Sequence, residues 1–94
     1  MQERIKRYRK IIDSIDRELL NILKKRFEVA IKIGELKAKD NLPVSDAKRD
    51  KEIFKTRNNW AKKSGLDEDL IKTIFNLIIK TTKKHHRELR KFLK

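Results

Sequence analysis

Apolar side chains recur through the first forty residues at alternating intervals of four and three positions. They are Tyr8, Ile12, Ile15, Leu19, Ile22, Val29, Ile33 and Leu36, named here the first-helix seam. This spacing keeps one stripe of an α-helix facing a partner. Arg26 occupies a position in the same stripe. Because a buried guanidinium without an anion is costly, Arg26 predicts a polar pocket that holds a negatively charged group inside a helical bundle.

A second apolar seam with helical spacing lies in the last third of the chain. Its members are Ile71, Phe75, Ile78, Leu89 and Leu93. Thr82 and His86 interrupt this seam at positions where the spacing requires apolar residues. Polar residues in two seams of one short chain are consistent with a shared internal pocket.

The periodicity predicts an all-α protein of three helices, long, short and medium, in a single domain over residues 1–94. The helices are predicted at about residues 4–39, 47–63 and 68–92. Ser45 or Asp46 is expected to cap the second helix, and Asp67 the third. Gly65 is suited to the left-handed position that ends the second helix, and Trp60 is expected to pack in the core near that end.

The length of the first helix predicts a dimer. Thirty-five residues at 1.5 Å each form a helix of roughly 52 Å. A globule of this chain length has a diameter of about 32 Å. The ends of the helix would therefore expose their apolar residues to water unless a second chain covers them.

Composition narrows the possible ligands. The net charge of +13 comes from 27 Lys and Arg against 14 Asp and Glu, which creates a field that attracts anions. The chain has no cysteine, which excludes disulfides and thiolate chemistry. No apolar run is long enough for a membrane span, and the first ten residues do not form a signal peptide. A cytoplasmic protein is therefore expected.

Several stretches, taken in order, resemble the all-helical AroQ class of chorismate mutases. Residues 8–16 are YRKIIDSID, 19–26 are LLNILKKR, 33–37 are IGELK and 43–49 are PVSDAKR. Residues 65–67 are GLD, and residues 74–79 are IFNLII. Each stretch is weak alone, but their order and spacing over roughly residues 8–86 are specific.

The resemblance implies an intertwined, domain-swapped homodimer that converts chorismate to prephenate in aromatic amino acid biosynthesis, within the shikimate pathway. The reaction is a concerted [3,3] (Claisen) rearrangement, which requires no nucleophile, metal or organic cofactor. The enzyme holds a flexible dianion in a compact geometry and stabilises charge on the breaking ether oxygen. Both tasks depend on orientation and electrostatic complementarity.

The resemblance also assigns residues to the site. Arg26, together with Arg9 of the partner chain, would clamp the two substrate carboxylates, since a guanidinium meets a carboxylate bidentately. Lys37 and His86 would donate hydrogen bonds to the ether oxygen. If the third helix lay one residue out of register, His85 and Thr81 would replace His86 and Thr82.

The remaining site residues implied by the resemblance are Arg49, Asp46, Asp50 and Thr82. Arg49 would support the carboxylate and hydroxyl region, and the two aspartates would contact the hydroxyl side or orient basic residues. Thr82 would contact the ring carboxylate. The family usually has glutamate where this chain has Asp50, and glutamine or glutamate where it has His86.

Each of these residues also has an ordinary structural interpretation. Arg26 would pair with an acidic residue of another helix, and Asp50 with a lysine. Thr82 would bond the carbonyl one turn back. His86 and its neighbour His85 would be part of a basic surface. Adjacent histidines on a helix point about 100° apart, so a two-histidine metal site is not expected.

Three other functions compete with the mutase. One is a binding-only or regulatory domain that keeps the fold without catalysis, and the complete set of Arg9, Arg26, Lys37 and Arg49 argues against it. Isochorismate-pyruvate lyases share the architecture and a similar cationic pocket, and Thr82 with a polar residue at position 86 favours the mutase over them. The net charge would also suit a basic nucleic-acid-binding helical protein. No recognised nucleic-acid motif accompanies the charge, so specific nucleic-acid binding is not expected.

Overall fold

Three α-helices make up most of residues 2–93, which the computed structural model describes. α1 is Gln2–Lys39, α2 is Ala47–Ser64 and α3 is Glu68–Phe92, and no strand occurs between residues 2 and 93. The predicted all-α class and the order of long, short and medium helices are confirmed. The predicted bounds of α3 agree with the structure, whereas α1 begins slightly earlier and α2 ends slightly later than predicted.

The helix ends follow the predicted capping residues. The Asp46 carboxylate, rather than Ser45, accepts a hydrogen bond from the Arg49 backbone N–H at 3.1 Å. Asp67 accepts from the Leu70 N–H at 3.1 Å. Gly65 has φ of 70°, the left-handed conformation that glycine adopts without a steric penalty. These local contacts satisfy backbone groups that the helix ends leave without partners.

The chain divides into two compact units between Ala30 and Ile31, so that α1 contributes to both. In the first unit, no residue from 2 to 30 is buried. The second unit contains the last part of α1, the connection, α2 and α3, and α2 packs against α3. Its buried apolar residues are Ile53, Ala61, Ile78 and Ile79.

The connection from α1 to α2 is held by hydrogen bonds to α1 and to α3. Asn41 adopts the left-handed conformation with φ of 57°, and the Leu42 N–H donates to the Lys37 carbonyl at 2.8 Å. The Arg90 guanidinium of α3 donates to the Leu42 carbonyl. The connection is thereby fixed to the end of α3, which is the end that carries His86.

The apolar residues of the first-helix seam are exposed in the single chain. Ile33 is 48% exposed and Tyr8 63%, and the other members lie between these values. The prediction that Trp60 packs in the core is wrong, because Trp60 is 56% exposed. Its ring instead lies 4.6 Å from the Arg57 guanidinium, at a distance that permits a cation–π contact. None of the described helices is both long and apolar enough to cross a membrane.

Candidate active site

The candidate site is centred on a buried imidazole, that of His86, which lies against Gly34 of α1. His86 is only 4% exposed, and Gly34 is also buried. A β-carbon at Gly34 would lie 2.5 Å from Cδ2 of His86 and 2.9 Å from Nε2. The interpretation of His86 as part of a solvated basic surface is therefore wrong. Of the two adjacent histidines, His86 is the more buried, and His85 is half-buried.

Lys37 lies on α1 one turn beyond Gly34. Side chains three residues apart in a helix are neighbours on one face, so Lys37 lies on the same side of α1 as Gly34, which His86 contacts. The Lys37 ammonium is not left in open solvent, because Nζ donates to the Val44 carbonyl at 3.2 Å in a half-buried environment. This bond holds the ammonium at the connection between α1 and α2.

Asp50 is joined to α3 by an ion pair. Its Oδ2 lies 2.7 Å from the Nζ of Lys83, and the two side chains are only 26% and 25% exposed. Pairing with a lysine was the alternative interpretation of Asp50, and the structure contains that pair. Lys83 was not singled out from the sequence. The sequence could have indicated Lys83 through its position three residues before His86, which places both on the same face of α3.

Thr82 lies one turn before His86 and is half-buried. Its hydroxyl donates to the Ile78 carbonyl at 2.9 Å, and the Thr81 hydroxyl makes the same contact with Leu77. The predicted bond to the preceding turn is therefore present. A hydroxyl has one proton, so Thr82 would have to release Ile78 before donating to a ligand, although its oxygen still accepts.

Arg49 is engaged by a neighbouring residue on its own helix. Its guanidinium forms an ion pair with Glu52 one turn later on α2, and about half of the Arg49 side chain is exposed. Asp46, by contrast, is one turn before Asp50 on α2, where it serves as the helix cap. The Asp46 cap and a ligand contact are compatible, because the second carboxylate oxygen remains able to accept a hydrogen bond.

Arg57 was not among the predicted site residues, and it lies close enough to Arg49 for the two positive charges to repel. The Arg57 guanidinium lies over the rings of Trp60 and Phe75, and its Nη1 donates to the Thr56 hydroxyl at 2.9 Å. Burial lowers the pKa of the Arg57 guanidinium, repulsion from Arg49 lowers it further, and attraction to Glu52 raises it. Arg57 nevertheless keeps its charge at working pH, because the ordinary pKa of arginine lies far above neutrality.

A groove of about 640 Å³ lies beside Arg57, between α2 and the beginning of α3. It is lined by basic and acidic side chains together, among them Lys72 and Glu68, and by Phe54 and Phe75. It includes none of the predicted site residues. Since its charges are mixed, the groove does not present the cationic surface that the sequence predicts, and the candidate site is instead the set of residues around His86.

The two remaining predicted residues, Arg9 and Arg26, belong to the first unit of the chain. Arg9 is exposed and Arg26 is half-buried. The second unit by itself therefore supplies Lys37, Lys83 and His86 as hydrogen-bond donors at the end of α1 and along one face of α3. Within residues 2–93, no group of three or more histidine, aspartate or glutamate side chains is placed to hold a metal ion.

The fold and this cluster define a class of protein: an all-helical protein with a largely cationic set of donors suited to a small anionic ligand. Residues 8–87 match the family described as chorismate mutase type II. The match covers most of the chain, and the protein belongs to this family. The family predicted from the sequence motifs is therefore confirmed.

Individual relatives support the same assignment. The chain is 30% identical to a chorismate mutase of Methanocaldococcus jannaschii over 91 residues, which cover 97% of this chain and 88% of the relative. It is 48% identical over 52 residues to a bifunctional chorismate mutase/prephenate dehydratase of Aquifex aeolicus, covering 55% of this chain and 14% of the relative. It is 35% identical over 72 residues to a T-protein of Haemophilus influenzae.

These relatives differ greatly in length. The matched part is 14% of the Aquifex aeolicus protein and 19% of the Haemophilus influenzae protein, so this chain corresponds to a small part of each. The Methanocaldococcus jannaschii protein, in contrast, is matched over nearly all of its length.

Proposed function

We propose that this chain is a chorismate mutase that converts chorismate to prephenate. The observation that carries the proposal is the family match over residues 8–87, supported by the nearly full-length similarity to the chorismate mutase of Methanocaldococcus jannaschii. The positions of Lys37 and His86 at the junction of α1 and α3 add to that support. The product belongs to the biosynthesis of aromatic amino acids.

The reaction requires positioning and charge stabilisation rather than proton transfer. Within one molecule, the ether C–O bond breaks while a new C–C bond forms, and no atom enters or leaves. Negative charge grows on the ether oxygen in the transition state. Donors that are already in place for that oxygen lower the barrier because they require no reorganisation as the bond breaks.

The chain offers two donors for the ether oxygen. The Lys37 ammonium has two protons left for a ligand beyond the one given to Val44. His86 donates from one ring nitrogen when neutral and from both when charged. Because His86 lies against α1 one turn from Lys37, the two groups act on the same side of the bound substrate.

The carboxylates of chorismate are assigned to arginines. The sequence motifs support Arg26 in this role and, across a dimer interface, Arg9 of the second chain. Arg49 belongs to the proposed set as well, although reaching the substrate would require it to leave Glu52. Asp46 and Asp50 are proposed for the hydroxyl side, where a carboxylate accepts a hydrogen bond from the substrate hydroxyl without facing a substrate carboxylate. Thr82 is proposed as a contact of the ring carboxylate.

One assay tests the proposed activity against its alternatives. Purified protein is supplied with chorismate and, separately, with isochorismate, and the products are separated and identified. We expect prephenate from chorismate. Salicylate with pyruvate from isochorismate, and no prephenate, would assign the chain to the lyases of the same fold. Absence of both reactions, with salt-dependent binding to random DNA duplexes, would support the nucleic-acid alternative.

We further propose that the active form is a homodimer whose chains pair along the first-helix seam. The seam residues are about half exposed in the single chain, from one end of α1 to the other. An extended row of large apolar side chains is unusual on a monomer and marks an interaction surface. A second copy is the expected occupant because its own seam has the same spacing, and helices with matching seams pack together.

We predict that Ile22→Glu disrupts the dimer. The substitution places a carboxylate in an apolar contact, where desolvation without a partner is costly. Light scattering at micromolar concentration should give the mass of one chain, and prephenate formation should fall at least roughly 100-fold if the site needs both chains. Asn21→Glu adds the same charge at an exposed neighbouring position away from the seam and should remain dimeric. A wild-type protein that is monomeric and fully active would contradict the proposal.

We predict that Lys83→Met weakens substrate binding more than it slows turnover. The substitution removes a cation and leaves the Asp50 carboxylate uncompensated, so the site becomes less favourable to a dianion. KM should rise about tenfold, with a smaller change in kcat. Adding Asp50→Asn to Lys83→Met should recover part of the loss. Lys84→Met, at the exposed neighbouring position, serves as the control. Equal kinetics for the two single variants would contradict a role for Lys83.

A further inference from the structure

We propose that Gly34 is a positioning residue: the absence of a side chain at this point of α1 admits the His86 ring and fixes its place in the site. The catalytic part of this inference rests on the proposed function. The steric part rests on the contact between His86 and Gly34, and it is measurable without any substrate.

The backbone conformation does not explain the glycine. Gly34 lies inside α1 and, unlike Gly65, does not have a positive φ. Glycine weakens a helix interior relative to alanine, because it gives up more conformational freedom on folding. A residue that favours helix formation, such as alanine, would therefore make α1 itself more stable at this position. The need for glycine must come from what lies beside it.

What lies beside it is the imidazole of His86. A β-carbon at Gly34 would approach three ring atoms, Cδ2 at 2.5 Å, Nε2 at 2.9 Å and Cγ at 3.1 Å. Carbon atoms in contact are normally 3.5–4.0 Å apart. The ring is rigid and 4% exposed, so it cannot swing into solvent as the end of a lysine would. Gly65 offers the opposite case, since a β-carbon there meets nothing within 4 Å.

The contact has a consequence for the proposed chemistry. Lys37 is one turn from Gly34 on the same helix. The missing side chain of Gly34 leaves a notch in the surface of α1, and the depth to which the His86 ring enters it sets the distance between the Lys37 and His86 donors. A methyl group at Gly34 would push the ring outward or separate α3 from α1. In either case the imidazole would no longer be placed for an oxygen that Lys37 also reaches, and a displacement of about 1 Å is sufficient to lower a rate by roughly 100-fold.

The test is Gly34→Ala, made in the wild-type chain and in a His86→Ala chain. In the wild-type chain we expect a lower melting temperature, although alanine is the better helix former. With His86→Ala the notch is empty, so the same substitution should raise the melting temperature. Lys32→Ala, at an exposed position of α1, should shift both chains alike. A Gly34→Ala shift of the same sign and size in both chains would overturn the proposal.

Kinetics supply the second readout. Gly34→Ala should lower kcat by roughly 10- to 100-fold with little change in KM, because the affected contact strengthens in the transition state. Adding His86→Gln, the residue type usual in the family, should restore part of kcat, since an unbranched amide bends around the new methyl group. A Gly34→Ala enzyme with normal kcat, or one that His86→Gln fails to rescue, would overturn the catalytic role.

The two proposals fail in different ways. The protein has two histidines, so the ring signals of His86 are assigned in NMR spectra by comparison with His86→Gln. If the wild-type protein forms no prephenate, the proposed function is wrong, while a Gly34→Ala shift of the His86 signals and the reversal in melting temperature would still uphold the steric part. If prephenate forms and the His86 signals do not respond to Gly34→Ala, the positioning role is wrong and the mutase assignment stands.

Discussion

Replacing Lys37 with methionine should lower kcat/KM for prephenate formation by roughly 100- to 1000-fold, the range found when one donor to a developing oxyanion is removed. Methionine keeps most of the length and the apolar stem of lysine but has neither charge nor a donor. The loss should fall mainly on kcat, because charge on the ether oxygen grows only as the C–O bond breaks. Steady-state kinetics of the wild-type protein and of Lys37→Met measure this effect.

The fold should tolerate Lys37→Met. The substitution removes one hydrogen bond, from Nζ to the Val44 carbonyl, and a single bond of this kind contributes about 1 kcal/mol to stability. Lys39→Met, at an exposed position in the last turn of α1, removes the same charge and should retain nearly full activity. If Lys37→Met and Lys39→Met lost activity equally, general charge rather than a placed donor would explain the effect.

Replacing Arg26 with alanine should reduce kcat/KM by at least roughly 100-fold while leaving helicity unchanged. The guanidinium is the proposed clamp for a substrate carboxylate, so its removal costs both attraction and orientation. Arg26→Lys should be intermediate, because an ammonium keeps the charge and loses the planar fork. Circular dichroism and prephenate kinetics provide the two measurements.

Lys25→Ala is the matched control for Arg26→Ala. Lys25 is the preceding residue, is exposed, and contributes the same charge to the overall field. Because electrostatic steering depends on the summed charge, both variants should lose a similar, small part of the association rate. An Arg26→Ala enzyme with the activity of Lys25→Ala would mean that the site does not include Arg26.

The sequence predicted the local structure accurately. Each helix end is governed by residues within one turn of it, as the Asp46 and Asp67 caps and the left-handed Gly65 illustrate. The periodicity of apolar residues predicted which stretches are helical for the same reason, since it depends only on the geometry of one helix. Motif order then indicated the family, which the match over residues 8–87 confirms.

Contacts between helices were less predictable. The Lys83–Asp50 pair joins residues of α2 and α3, and its formation depends on the angle and register at which these helices pack. Trp60 is a large aromatic residue in the apolar stripe of α2, as a core residue would be, yet it is 56% exposed. Arg49 matched the family motif by position, but Glu52 on the same helix holds its guanidinium.

By itself, the sequence determined three helices, their caps, an excess of positive charge and a set of polar residues within apolar seams, because each of these follows from spacing along one chain. Only the tertiary structure decided that His86 is buried against Gly34 and that Asp50 is paired with Lys83. Such contacts join residues far apart in sequence, and no periodicity encodes the depth to which one helix packs against another. The placement of the site therefore depends on packing, whereas its chemical character was already present in the choice of residues.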